Sequence, residues 1–200
     1  MAEAGDRASF WRLRRAEHPG LRAAIAADVP VYAMNRGEQP RLHSPLDRLR
    51  YAVRLLWVSD GFLGLVLYRS KAALQRRGIP VLPTVAHRLA SALTQTAIGD
   101  PVVIEPGVYL AHGQVCLGGI TKIGAGAYLA PFVAIGLVAG EWVGPTLEEN
   151  VRVGVGASIL GPVTVGAGAT IGAGAVVLED VPAGATVVGV PAKEVPSRVR

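Results

Sequence analysis

The sequence predicts a mainly β protein, a parallel β-solenoid preceded by a small α-helical region. Three observations carry that expectation. Glycine is partitioned sharply, with 6 of 25 in residues 1–96 and 19 in residues 97–200. From Ile98 onward an aliphatic residue recurs every six positions, a period that belongs to neither an α-helix nor a simple strand. Before Thr96 the chain carries helix caps and helical apolar spacing instead.

Residues 7–27 predict two short helices broken at "HPG". "SPLDRLRYAVRLLW" predicts a helix with Ser44 as N-cap, Pro45 at its first position and Asp47 in its first turn. After Ser59 a further helix is expected over 60–77, with Leu63, Val66 and Leu67 at helical spacing and Gly78 as its C-terminal cap. "IPVLP" reads as a linker, because both prolines interrupt helix, and Thr84 then caps "VAHRLASALTQ". His18, His43 and His87 all fall in this half and are assigned to polar helix faces or caps.

The repeat begins at Ile98, Ile104 and Leu110. One residue is then inserted, and the count resumes at Leu117, Ile123, Leu129 and Ile135, then at Leu147, Val153, Ile159, Val165, Ile171 and Val177. Gly or Ala commonly follows, as in Gly99, Gly124, Gly154 and Gly172, and the fifth slot of each unit is mostly small or β-branched. A short strand with one inward aliphatic followed by a tight corner meets these requirements. Three units per coil stack aliphatic on aliphatic, so thirteen units make about four coils, roughly 20 Å tall at the inter-strand spacing. Residues 136–146, "GLVAGEWVGPT", are expected to leave the solenoid as a loop. The expected organisation is a helical region 1–96, a solenoid 97–192 and a tail 193–200.

Composition narrows the function classes. The net charge of +5 divides into +8 for residues 1–96 (15 Lys and Arg against 7 Asp and Glu) and −3 for residues 97–200 (5 against 8). The arginines are spread through helical segments without interleaved aromatics, which indicates solvated helix faces, so neither a nucleic-acid nor a membrane partner is expected. Cys116 is the only cysteine, which excludes an internal disulfide framework and fits a reducing cytoplasm. "MAEAGDRASF" has no basic start followed by an apolar core, and "LLWVSDGFLGLVLY" is too short to span a bilayer and contains Asp60. The protein is expected in the cytoplasm.

The repeats "IGAGAY", "VGVGAS", "VGAGAT" and "IGAGAV", followed by "LEDVPAGATVVGVPAKEV", resemble the hexapeptide acyltransferases, which have a left-handed β-helix. Helices, then "YLAHG", then a loop ending in "GPTLEENVRVGVGA" are similar to the serine O-acetyltransferase branch, over about residues 50–195.

His112 stands in the third slot, which elsewhere holds Asp100, Pro106, Pro131, Glu149 and Glu179, a set no buried position would accept. It therefore points outward, beside the one-residue insertion, where a deformed coil re-aims a side chain. Acyl transfer from a thioester to a hydroxyl needs a base with a pKa near neutrality and donors aimed at the thioester oxygen. Backbone N–H groups at Gly118 and Gly136 are candidates for those donors. The resemblance implies that His112 is the base and that acetyl-CoA is the donor, its pantetheine arm lying in a groove along the coils. Matching positions are Gly136, Ala157 and "GVPAK" from Gly189 to Lys193, with Lys193 as a CoA phosphate contact. The family places aspartates immediately before the base and fifteen residues upstream, where this chain has Ala111 and Ala97. Its loop also carries a histidine before the proline, where Val143 and Gly144 precede Pro145. Asp60, Glu105 and Glu141 are alternative partners for His112, and Asp100 a further substitute.

The expected activity is CoA-dependent O-acetylation of serine or a serine-like small acceptor with a hydroxyl or amine. A sugar or biosynthetic intermediate is the alternative acceptor, and a non-catalytic β-helix binding protein the alternative class. No metal is expected, since a zinc carbonic anhydrase on this fold needs about three histidine ligands and the repeat region has His112 alone. Flat apolar sides ("VAIGLVAG", "VVGV") and the resemblance imply a homotrimer, with pairing of trimers through the helices as an extension.

Overall fold

A computed structural model describes residues 4–40 and 42–196; the last four positions of the expected tail lie outside the described residues. Five helices precede the solenoid: α1 (Ala4–Ala16), α2 (Leu21–Asn35), α3 (Pro45–Val58), α4 (Asp60–Arg76) and α5 (Leu82–Thr94). Helix α3 begins as expected, the Ser44 hydroxyl accepting from the Asp47 N–H at 3.1 Å while the Asp47 carboxylate accepts from the Ser44 N–H at 3.1 Å. Ser59 both ends α3 and caps α4, accepting from the Phe62 N–H at 3.3 Å, and the chain bends there by 110°.

Two helix boundaries differ from expectation. Helix α2 runs through Pro30 to Asn35, because burial of Ala24, Asp28, Val29, Tyr32 and Ala33 along one face outweighs the missing N–H. Helix α5 starts at Leu82, so Pro83 and Thr84 lie inside its first turn, where a proline N–H would have no intrahelical partner in any case.

His18 also departs from expectation. It lies in the turn between α1 and α2, only 5% exposed, with Nδ1 3.3 Å from the Tyr68 hydroxyl and Nε2 without a hydrogen-bond partner. The Tyr68 hydroxyl donates to the Val102 carbonyl at 2.6 Å. Burial, reinforced by the charges of Arg14, Arg76, Lys71 and Arg69, lowers the His18 pKa to about 4 from 6.5. The folded state thus prefers the neutral ring. Its contribution to stability is complete above pH 6.5 and is lost as pH falls toward 4, to an extent of about 3 kcal/mol. Chemical denaturation of His18→Gln is expected to lack this loss between pH 6.5 and 4, seen as a shallower pH dependence than that of the wild type.

The solenoid has three parallel faces. One stacks β1 (Ala97–Ile98), β4 (Cys116–Leu117), β7 (Ala134–Gly136), β10 (Ser158–Leu160) and β13 (Val176–Val177). The second stacks β2 (Val103–Ile104), β5 (Ile120–Ile123), β8 (Val143–Leu147) and β11 (Thr164–Val165). The third stacks β3 (Tyr109–Leu110), β6 (Tyr128–Leu129), β9 (Arg152–Val153), β12 (Thr170–Ile171), β14 (Thr186–Val188) and β15 (Lys193–Val195). All thirteen aliphatics of the repeat are at most 2% exposed, and they pair in register up each face.

The solenoid outruns the expected four coils, making about five. After Val177 the step shortens, yet Val181 still pairs with Val165 and Val187 with Ile171. Strand β15 then folds back antiparallel on β14, so Lys193–Val195 belongs to the sheet and not to a tail. The expected loop contracts to residues 137–142, because Val143–Leu147 pairs with β5 across a bulge.

The helices share the solenoid's core. Tyr32, Leu55, Phe62, Leu65 and Tyr68 pack in one cluster with Ile98, Ile104 and Leu110. A buried ion pair pins α2 and α4 to the first coil: Arg69 holds both Asp28 oxygens at 2.7 and 3.0 Å and donates to the Ile104 and Glu105 carbonyls, while Asp28 accepts from the Gly107 N–H. Burial raises the Asp28 carboxyl above its ordinary pKa against the pull of Arg69.

Candidate active site at the His112 corner

His112 lies just after β3, exposed, as its outward slot requires. The backbone beneath it is held from three sides. From α2, the buried Tyr32 hydroxyl donates to the Leu110 carbonyl at 3.2 Å and accepts from the Leu110 N–H at 3.1 Å. Its ring packs edge-on to Phe62 and against Tyr109, with centroids 5.0 and 4.6 Å apart. From α4, Gly61 lies so close that a Cβ there would overlap the Leu110 carbonyl and come 3.3 Å from the His112 carbonyl. From α5, the Thr94 carbonyl accepts from the Gln114 N–H at 3.1 Å. The one-residue insertion is therefore a fixed corner bonded to the end of a helix. An exposed side chain on an immobilised backbone is the arrangement a positioned base requires.

The candidate carboxylates are distributed otherwise than for a simple His–Asp pair. Asp100 is bound by the buried Lys71 ammonium at 2.9 Å. Half-burial raises its carboxyl, but Lys71 outweighs this and holds the pKa below the usual range. Glu105 pairs with Lys122 at 3.4 Å. Asp60 opens α4 next to Gly61, and Glu141 is exposed in the 137–142 loop. Among the described residues of one chain, none of these carboxylates hydrogen-bonds the His112 ring. Ala111 is partly buried against the core cluster.

The remaining site positions fall into two groups. Gly118 and Gly136 stack on one face, Gly118 with nothing within 4 Å of a would-be Cβ and Gly136 with only the Gly118 nitrogen, at 4.0 Å. They leave a strip of bare backbone. The Gly118 N–H, however, donates to the Ile135 carbonyl at 2.9 Å and so is not a free donor for a thioester oxygen, because parallel coils consume their own N–H groups. Ala157 sits elsewhere. The fifth slot faces the prism interior, its methyl is fully buried, and its N–H and carbonyl are both bonded within the solenoid. Gly189 and Lys193 sit at the far end around the β14–β15 turn, where Lys193 is 3.5 Å from Glu179 and both are exposed. Sequence reasoning missed Tyr32 and Gly61, whose roles come from contacts with a segment far along the chain. The adjacency of Gly61 and Gly64 in α4 was the only local sign of close approach.

A parallel hexapeptide solenoid carrying an outward histidine on a helix-braced corner defines a hexapeptide-repeat transferase, and residues 144–179 match the family model for bacterial transferase hexapeptide (six repeats). Serine acetyltransferase of Helicobacter pylori strain J99 is 36% identical over 155 residues, covering 76% of this chain and 89% of the relative. The chain belongs to the serine acetyltransferase family. The Synechococcus elongatus serine acetyltransferase is 35% identical over 148 residues, 72% of this chain and 60% of its own length. A solved structure of serine acetyltransferase in complex with CoA superposes with a TM-score of 0.74 at 27% identity, covering 91% of this chain and 72% of the other.

Proposed function

We propose that the protein transfers an acetyl group from acetyl-CoA to the hydroxyl of serine or a closely similar small acceptor, with His112 as general base. The observation that carries this reading is the exposed imidazole on a corner immobilised by Tyr32, Gly61 and Thr94. His112 takes the hydroxyl proton as the oxygen attacks the thioester carbon. As the C–S bond breaks, the imidazolium returns that proton to the departing thiolate, giving CoA and the acetyl ester. The bare strip at Gly118 and Gly136 fits the extended arm of the donor, and Gly189 and Lys193 lie farther along the solenoid for its distal end. Release of CoA thiol from acetyl-CoA across a panel led by L-serine tests the acceptor. Turnover with L-serine is the expected result; turnover only with a sugar hydroxyl would reassign it.

The same reading places the enzyme in the cytoplasm, where exposed Cys116 stays reduced. It also takes the protein as a homotrimer. Leu46, Leu49, Val53 and Trp57 on α3, and Leu82, Val85, Leu89 and Leu93 on α5, are exposed at helical spacing, as are Leu137 and Val138 beside the solenoid. Such faces are covered by association. Light scattering is expected to give three chains per particle, or six if the helices pair trimers; a monomer would overturn the assignment.

A further inference from the structure

The corner column above His112 contains a side chain that stability does not explain. In the edge between the third and first faces, the left-handed corner residues are Gln114 (φ 68), Phe132 (φ 63), Gly156 (φ 69) and Gly174 (φ 67). Glycine takes this conformation freely, whereas for a bulky residue it is an outlier. Phe132 is nevertheless 61% exposed, so its ring gains little from burial within the chain. The strain is held in place by hydrogen bonds on both levels: the Phe132 N–H donates to the Gln114 carbonyl at 2.9 Å, and the Gln114 N–H to the Thr94 carbonyl at 3.1 Å. Strained conformations that persist under such constraint cluster at functional sites.

Its position bears on the site proposed above. Strand β3 pairs with β6, and β4 with β7, so the corner 111–115 that carries His112 lies directly under the corner 130–133 that carries Phe132. Gly136 follows four positions later, on the bare strip proposed for the donor arm. Phe132 thus stands on the same edge as the base, one coil above its corner, and its own coil runs on across the first face to the donor strip. We propose that Phe132 determines which acyl groups the site accepts, its ring occupying the space that a chain longer than acetyl would need. This rests on the acyl-transfer reading and adds a specificity residue to it.

The test compares wild type, Phe132→Gly and Phe132→Tyr with acetyl-CoA, propionyl-CoA and butyryl-CoA, using the acceptor the wild type turns over best. Phe132→Gly is expected to raise the butyryl-to-acetyl ratio of kcat/KM at least tenfold. Phe132→Tyr is expected to keep the wild-type ratio. The Tm of the glycine variant is expected to equal or exceed that of the wild type, since glycine relieves the backbone without opening the core. Calorimetric titration with the same thioesters gives a comparison independent of turnover, in which Phe132→Gly should gain at least tenfold in affinity for butyryl-CoA. An unchanged ratio together with unchanged affinities would overturn the proposal. So would an unchanged ratio with smaller particles in light scattering, which would make the ring a contact between copies. A wild type that binds the thioesters but never releases thiol would instead remove the acyl-transfer reading, leaving the binding comparison to decide the role of Phe132.

Discussion

Replacing His112 by alanine is expected to lower kcat/KM for acetyl transfer by roughly two to four orders of magnitude, the range over which a positioned general base contributes. Stability should be nearly untouched, because the ring is exposed and makes no hydrogen bond or ion pair among the described residues of its chain. Parallel assays of thiol release and thermal unfolding decide the matter. Loss of activity at constant Tm assigns the side chain to chemistry, whereas retained activity would remove His112 from the mechanism. The sharpness of this test comes from the architecture. Everything that positions the corner is backbone or belongs to other residues, so the imidazole can be removed without disturbing what holds it.

The largest loss of stability is expected from Arg69→Met. Arg69 and Asp28 are buried together, with the guanidinium also satisfying the Ile104 and Glu105 carbonyls. Removing one partner of such a pair strands the other in the core, a cost of about 3–5 kcal/mol. For a chain of this size that corresponds to a fall in Tm on the order of 10 °C. Asp28→Ala combined with Arg69→Met should cost clearly less than the sum of the two single changes, since the stranded charge is absent from the double variant. Additive losses in a thermal or urea series would refute the coupling. Activity should fall with the single change as well, because the pair clamps α2 and α4 to the first coil, and those helices brace the His112 corner.

The repeat was legible because each six-residue unit is local. An aliphatic that must face inward, a small fifth slot and a corner all lie within one unit, and the next coil repeats the demand one level up. The same logic placed His112 outward from its slot alone. It failed where the unit length changed: the shortened step from Val177 to Val181 hid the fifth coil, and residues 143–147 remained in the sheet despite the irregular sequence around them. Helix starts at Ser44 and Ser59 were readable because capping is a contact between residues three apart. The end of α2 and the start of α5 were not readable, because a proline's effect depends on whether burial or a first-turn position excuses its missing N–H.

What the sequence by itself determined is the solenoid, its register and the outward histidine, all consequences of short-range periodicity. Only the tertiary structure decided how that histidine is held. Tyr32 clasps Leu110 across 78 positions and Arg69 reaches Asp28 across 41. Lys71 claims Asp100, and Gly61 admits the Leu110 carbonyl. Ala157 turned inward and the Gly118 N–H was spent on the next coil. The physical reason is the same in each case. A hydrogen bond, a close approach or a buried charge depends on which surfaces meet when helices pack on coils, and segments distant along the chain carry no local pattern that announces their meeting.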